Sequence, residues 1–374
     1  MQNLLSEIAK FRGPTLSPLP AFPKFYSYWK SGQLYFKRPL LRLFPVSSRS
    51  LQLIKAHPAA KSARPRRLQL EGATKAMDDK APRFQTNKHT MWIGNVRNLS
   101  FQDQLQATTA ADLNELSMTP LDFDRNLAKG FTARDMQIMA ADVGVSLPIL
   151  DPIASWAPHW RSGIPDPAWM EFLGYSADDF FRAAEQLEAS TVTVIGTFRP
   201  GLVSIPEIAE SFALLADKAS SHGLHCVLEF IPLWGISNLA SAWQILQIAD
   251  RPNTGIAFDF WHYMRGGRDD ALLRSIPGSK ISYVQVTDAE ASLPPGRSLF
   301  DDCLFHRLPP GRGGLPVREL LDTLCEIGAI DRLGPEVFSA TLDALPAEGI
   351  AQALREPYWQ ALANSGIGGP DCDK

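Results

Sequence analysis

No apolar run in this 374-residue chain approaches the roughly 18–20 residues that a membrane-crossing helix needs, so no such span is expected. Cysteine is scarce. Cys226, Cys303, Cys325 and Cys372 are the only four, and none forms a C-x-x-C pair, which argues against a disulfide framework or a cysteine zinc site. No G-x-G-x-x-G follows the first strand-like run, which weakens an open, nucleotide-binding sheet. Acid is almost missing from residues 1–76, where Glu7 and Glu71 face 14 Lys and Arg. The remainder carries 23 basic and 38 acidic residues, and an acidic body makes nucleic acid an unsuitable partner.

The basic segment also holds eight prolines, from Pro14 to Pro65, and little sustained periodicity. It lacks an apolar core with a small-residue cleavage site, so a secretory signal is not expected; its Arg- and Ser-rich, acid-poor composition is loosely like an organellar transit peptide. The expectation is a basic extension over 1–76, disordered or upstream of the true start, ahead of a folded body over 77–374. The cytoplasm is the expected location, with organellar import as the other reading.

From about residue 89, short β-rich runs alternate with helical stretches. Strands are expected at Met91–Arg97, Asp112–Ser117, Val145–Leu150, Thr191–Ile195, His225–Phe230, Thr254–Asp259, Ile281–Val286 and Pro335–Phe338. Helices are expected from Phe101, over Thr132–Val143, Ala177–Leu187, Pro206–His222 and Ser237–Ala249 (with Ser237 as N-cap), and over Asp269–Ser275 and Pro316–Ile327. Such alternation implies parallel pairing, and eight units close into an α/β fold, a (β/α)8 TIM barrel.

In that fold the carboxyl ends of the strands face the active site. Four successive ends carry Glu229, Asp259, Gln285 and Glu336: three carboxylates and an amide oxygen, suited to a hard divalent cation such as Mg or Mn. Each has a plainer reading: Glu229 as an ion-pair partner, Asp259 as an N-cap, Gln285 as a core hydrogen bonder. Burying three carboxylates together costs several kcal/mol each unless a positive charge joins them. His262, three residues after Asp259, shares its helical face and can reach the same cavity. Arg307, in a long loop, suits a phosphate, carboxylate or enolate oxygen. Trp234, Trp156 and Trp160 could wall a pocket, and the Trp-rich loop at 156–169 suits a lid or the subunit contact of a homo-oligomer.

These segments resemble the xylose isomerase-like TIM barrel superfamily, in particular its sugar-phosphate isomerase and epimerase branch. The resemblance rests on Leu228-Glu229-Phe230-Ile231-Pro232, Asp259-Phe260-Trp261-His262, Gln285-Val286-Thr287-Asp288, Arg307-Leu308-Pro309-Pro310-Gly311 and Glu336-Val337-Phe338-Ser339. It implies one divalent metal on Glu229, Asp259, Gln285 and Glu336, with Mn or Mg expected and Zn or Co as alternatives. It implies His262 and Arg307 as substrate contacts. It implies proton removal next to the carbonyl of a small polyhydroxylated substrate through an enediolate, with Glu229, Glu336 and His262 as the catalytic groups. Two departures stand out. The usual Pro-Gly-Glu-Gly reads Pro310-Gly311-Arg312-Gly313, a charge change that bears on substrate choice. The third ligand is Gln285 rather than His, a pattern similar to 3-dehydroshikimate dehydratases, so a lyase is the alternative activity. A non-catalytic sugar-binding barrel is a further one. The apurinic endonuclease relatives need a histidine-rich trinuclear zinc site, which the few histidines at strand ends do not offer.

Overall fold

The computed structural model describes residues 84–164 and 166–368, and the backbone of a short antiparallel pair, Ser27–Lys30 with Gln33–Phe36. The expected extension over 1–76 otherwise falls outside the described residues.

Eight strands pair in sequence order, all parallel. They are β1 (Thr90–Met91), β2 (Glu115–Met118), β3 (Ser146–Ile153), β4 (Thr191–Ile195), β5 (His225–Glu229), β6 (Thr254–Asp259), β7 (Ile281–Val286) and β8 (Leu333–Pro335). A parallel bridge between His89 and Leu333 joins the last strand to the first, so the sheet is a barrel and not an open, doubly wound one. The join is tight. A Cβ on Gly334 would lie 2.0 Å from the Thr90 carbonyl, so only glycine fits there.

Four strands are shorter than the sequence suggests: β2 starts at Glu115 rather than Asp112, β5 stops at Glu229 rather than Phe230, and β1 and β8 are cut back at the barrel's closure. After Met91 the chain turns into a helical segment, Ile93–Val96, because the Ile93 N–H goes to the Ser117 hydroxyl (2.8 Å) instead of a strand partner. Asn95 in that turn takes over the closure. Its amide donates to the Pro335 carbonyl (2.6 Å) and its oxygen accepts from the Val337 N–H (2.7 Å). This side chain therefore replaces ladder bonds on both sides of Glu336, and β8 ends at Pro335 rather than running to Phe338.

Strand side chains alternate between faces, and this period positions the site. Ile149, Val227, Ala257 and Tyr283 point into the barrel, where they pack with Trp92 as one buried layer. Two residues further along the same strands stand Asp151, Glu229, Asp259 and Gln285. The alternation that fills the barrel with apolar groups thus delivers a polar layer at its carboxyl rim.

Helices cover the outside. Most of the expected ones form within a residue or two, over Phe101–Ala110, Ala133–Asp142, Ala177–Leu187, Ile205–Ser220, Leu239–Ala249, Asp270–Ser275 and Val317–Glu326. The fifth starts one residue later than expected: Asn238, not Ser237, caps it, accepting from the Ser241 N–H (2.9 Å). Further helices form over Pro120–Ala128, Leu299–Phe305 and Ala347–Asn364. Among the described residues no helix is long and apolar enough to cross a membrane.

Candidate functional site

The rim brings Glu229, Asp259, Gln285, Glu336, His262 and Arg307 together, all of them buried. Glu229 ends β5 and Asp259 ends β6. Asp259 also caps the helix Phe260–Gly266, its Oδ1 accepting the His262 N–H at 2.6 Å. That bond fixes the first helical turn and swings the imidazole over the rim. There His262 Nε2 lies 3.1 Å from Glu229 Oε1, and Nδ1 lies 3.9 Å from Asp259 Oδ1. Gln285 donates from Nε2 to Glu336 Oε1 at 2.9 Å. One ligand-type atom from each of Glu229, His262 and Glu336 falls within 4.8 Å of the others, a grouping able to hold a metal ion.

Arg307 lies among these groups with its side chain wholly buried. Nη1 donates to Asp259 Oδ2 (2.8 Å) and Glu336 Oε2 (3.1 Å), and Nε donates to the Cys303 carbonyl (3.0 Å). The rings of Trp261 and Phe338 lie 5.2 and 5.1 Å from its guanidinium carbon. The sequence reading makes Arg307 a substrate contact; here its donors are engaged by the protein itself.

The charges do not balance. Four carboxylates (Asp151, Glu229, Asp259 and Glu336) share the site with one guanidinium. Burial pushes Asp151 up to about 8, with the charge of Glu229 adding to the rise and a hydrogen bond with Thr193 opposing it. Burial also raises Glu336 well above the carboxylate range; Arg307 opposes this, while Glu229, Asp259 and Asp151 reinforce it. For Asp259 burial pulls upward as well, but Arg307, His262 and the helix N–H outweigh it and hold the group low. Arg307 bonds to both acids, yet Asp259 is held low while burial and the neighbouring acids keep Glu336 raised.

The residues present fit a divalent cation. The excess of acid calls for a positive charge, and two buried ligand-type atoms, Gln285 Oε1 and His262 Nδ1, have no hydrogen-bond partner. A bound cation would oppose the upward shifts of Glu336 and Asp151.

The surrounding loops are built on aromatic residues. Trp234 donates from its indole to the Gly163 carbonyl (3.2 Å) and packs with Ala154, Leu173, Ile195 and Ile231, which braces the loop after β5 against the one after β3. Trp156 donates to the Ile195 carbonyl (2.7 Å). Asp288 holds the Pro-Gly loop, taking N–H bonds from Ala289, Gly313 and Leu315 at 2.8, 2.8 and 2.9 Å. Arg312 of that loop is exposed and pairs with Glu356 on the last helix. An open cleft of about 620 Å³ runs past Asp288, Gly311 and Gly313 toward Arg274, Arg318 and Glu326, and none of the rim acids borders it. Asp151 and Asp288 carry roles that the sequence reading did not assign. Asp151 was within reach of it, because it stands two residues after the inward-facing Ile149.

Relatives share this architecture. The 3-dehydroshikimate dehydratase of Pseudomonas aeruginosa is 24% identical over 255 residues, covering 67% of this chain and 38% of that enzyme. The inosose isomerase of Bacillus velezensis is 29% identical over 150 residues, covering 40% of this chain and 52% of that enzyme. The chain thus spans between about a third and a half of the curated relatives it matches. The crystal structure of the IOLI protein with a zinc atom superposes with a TM-score of 0.64 at 19% identity, covering 74% of this chain and 99% of that one. A family model described as a xylose isomerase-like TIM barrel matches residues 108–361, from just before β2 to the last helix. With that match spanning seven of the eight parallel strands of the closed sheet, the chain belongs to the xylose isomerase-like TIM barrel family.

Proposed function

We propose that this chain is a divalent-metal-dependent enzyme that isomerises or epimerises a small polyhydroxylated carbonyl compound, a sugar or sugar phosphate, by removing a proton next to the carbonyl. The observation that carries this is the convergence of Glu229, His262 and Glu336 in a rim layer with more acid than its one guanidinium can balance. Glu229, Asp259, Gln285 through Oε1, and Glu336 would hold the ion, with His262 in reach of the same position. A bound Mn or Mg ion, with zinc (as in the IOLI protein) or cobalt as alternatives, would stabilise the negative charge that forms on oxygen when the proton leaves.

The chain's own groups move the proton. One of Glu229 and Glu336 takes it from the substrate carbon, and the other returns it on the opposite face. His262, whose Nε2 lies 3.1 Å from Glu229 Oε1, orients that carboxylate and reaches a substrate hydroxyl. The aromatic loops after β3 and β5 keep water away from the carbanion.

The test uses the full chain, loaded with Mn and desalted, with metal counted by mass spectrometry and proton–deuterium exchange at ketose and inosose carbons followed by NMR. Near one metal per chain and metal-dependent exchange are expected. A folded chain that takes no metal would move the assignment to a sugar-binding barrel. Dehydration is the second reading, favoured by the longer match to the dehydratases, 255 residues against 150 for the isomerase. It shares the first proton removal and then expels a β-hydroxyl as water. A conjugated product absorbing in the ultraviolet separates it from isomerisation.

A further inference from the structure

We propose that Asp302 is a positioning residue of this site: from outside the rim it grips the helix Phe260–Gly266 on both sides of His262 and so sets where that imidazole points. This rests on the proposed function above and adds to it a residue that touches neither substrate nor ion.

Asp302 lies on the helix Leu299–Phe305, with its side chain wholly buried. Starting that helix does not require it. Ser298 caps the helix together with the neighbouring Asp301, whose N–H donates to the Ser298 hydroxyl (3.0 Å) and whose carboxylate accepts from it (2.7 Å). Asp302 instead serves three donors from elsewhere. Its Oδ2 accepts the Trp261 indole N–H (2.9 Å) and the Arg265 Nε–H (3.0 Å), and its Oδ1 accepts from Arg297 Nη1 (2.9 Å). Burial pushes this carboxyl up, but the bonds from Arg297, Trp261 and Arg265 outweigh it and hold the group low.

Trp261 and Arg265 are four residues apart, so they share a face of their helix, and one oxygen of Asp302 holds that face at two points. His262, the next residue after Trp261, is rotated by about 100° from it and turns toward the rim, where its Nε2 lies 3.1 Å from Glu229 Oε1. The Trp261 and His262 rings meet edge to face, with centroids 5.4 Å apart. The Asp259 cap fixes the start of this helix, and Asp302 fixes its rotation. Arg265 also donates from Nη2 to the Glu290 carbonyl (2.8 Å), which ties the segment after β7 to the same grip. Trp261 is wholly buried and the Arg265 side chain nearly so. Water therefore does not replace a lost acceptor here, and the donors must move, carrying the helix and the imidazole with them.

The full chain, labelled with 15N in its seven histidines, would be compared with Asp302→Asn, Trp261→Phe and Arg297→Gln. Ring-nitrogen shifts follow hydrogen bonding, and His262→Gln assigns the His262 pair. Asp302→Asn, with one acceptor oxygen left for three donors, should shift the His262 nitrogens and slow proton–deuterium exchange on an inosose about tenfold, with Mn content unchanged. Trp261→Phe, which removes one N–H and keeps a ring, should shift them less. Arg297→Gln, which frees the loop and leaves the helix grip, should leave His262 where it is. Unmoved His262 nitrogens in Asp302→Asn overturn the proposal. So does an equal shift in Arg297→Gln, the mark of a general loosening. If Asp302→Asn does not fold, Trp261→Phe decides: a shift supports the grip, and none rejects it. Mn lost from Asp302→Asn would make Asp302 a support of the ion's seat and reject the positioning of His262. A wild type that takes no Mn and exchanges nothing removes the proposed activity, while the nitrogen shifts still decide the grip.

Discussion

The barrel carries an ion pair at each end, part-buried at one and wholly buried at the other, and the two are built differently. At the amino-terminal end, Glu115 opens β2 and takes the Arg332 guanidinium on both oxygens, at 2.7 and 3.1 Å, with the Thr90 hydroxyl adding a third bond at 2.7 Å. One acid meets one base, and the carboxylate has no oxygen left without a partner. At the carboxyl end, Arg307 meets Asp259 and Glu336, while Glu229 and Asp151 crowd the same layer. A matched pair closes the barrel by joining the start of β2 to the residue before β8. An oversupply of acid costs stability unless something else binds.

The contrast breaks most sharply with Glu229→Gln. Removing one carboxylate from the crowded end is expected to abolish metal retention and lower turnover on the order of 10⁴-fold, about 5 kcal/mol of barrier. The metal-free melting temperature should hold or rise, because a repelling charge has gone. A large fall in metal-free stability with metal retention intact would mean that the upper cluster is a staple like the lower one.

Glu115→Gln is the mirror experiment. It leaves the part-buried Arg332 without its anion, and loss of one partner of such a pair costs up to about 3 kcal/mol. Chemical denaturation would read this, with metal content and kcat/KM of the folded fraction unchanged. A change in kcat/KM would show that the lower pair reaches the chemistry through the strands.

The two ends were not equally legible in the sequence. The strands Thr191–Ile195, Thr254–Asp259 and Ile281–Val286 form as read, because buried parallel strands are continuous apolar runs bounded by turn residues. β1 and β8 are only two and three residues long, and their closure depends on Asn95 and Gly334, which no local pattern announces. The last helix holds Pro357 in its interior, a residue that argues against a helix at sequence level. Glu229 and Asp259 were readable as strand ends, Glu336 follows the last residue of β8, and Asp151 was not assigned. The partners of Arg307 were not, since they lie 48 and 29 residues away along the chain.

Titration gives the two ends opposite slopes. His89, just before β1, is buried between the Tyr358 hydroxyl and the Thr86 carbonyl, and burial lowers it to about 4. Its unfolded form takes up a proton near pH 6.5, so the folded chain loses stability as pH falls from about 6.5 through 4, by up to about 3 kcal/mol. Asp151, raised to about 8, works the other way. The folded state keeps its proton while the unfolded state releases one near pH 4, so the metal-stripped chain loses stability as pH rises from about 4 through 8. Melting curves of the stripped chain from pH 4 to 9 should show both arms. His89→Gln should flatten the acid arm and Asp151→Asn the alkaline one. Mn should suppress only the alkaline arm, because only there does the ion compete with a proton.

The smallest effect is expected from Arg312→Glu, which restores the Pro-Gly-Glu-Gly pattern that the sequence reading connects with substrate choice. Arg312 is half exposed and faces Glu356, itself almost fully exposed, on the last helix at 3.4 Å. Exposed pairs of this kind contribute about 0–1 kcal/mol, and the reversed charge adds a mild repulsion in a well-solvated place. The loop itself is set by Asp288 and the glycines, since a Cβ on Gly313 would lie 2.5 Å from Asp288 Oδ1. Its shape should therefore survive the substitution. Stability should change by less than about 1 kcal/mol, and relative kcat/KM across a substrate panel by less than about threefold. A tenfold change in preference would place residue 312 against the substrate and require the loop to turn inward when the site fills. The Asp288 hydrogen bonds would then be the ones to break first, and Asp288→Asn should mimic the effect.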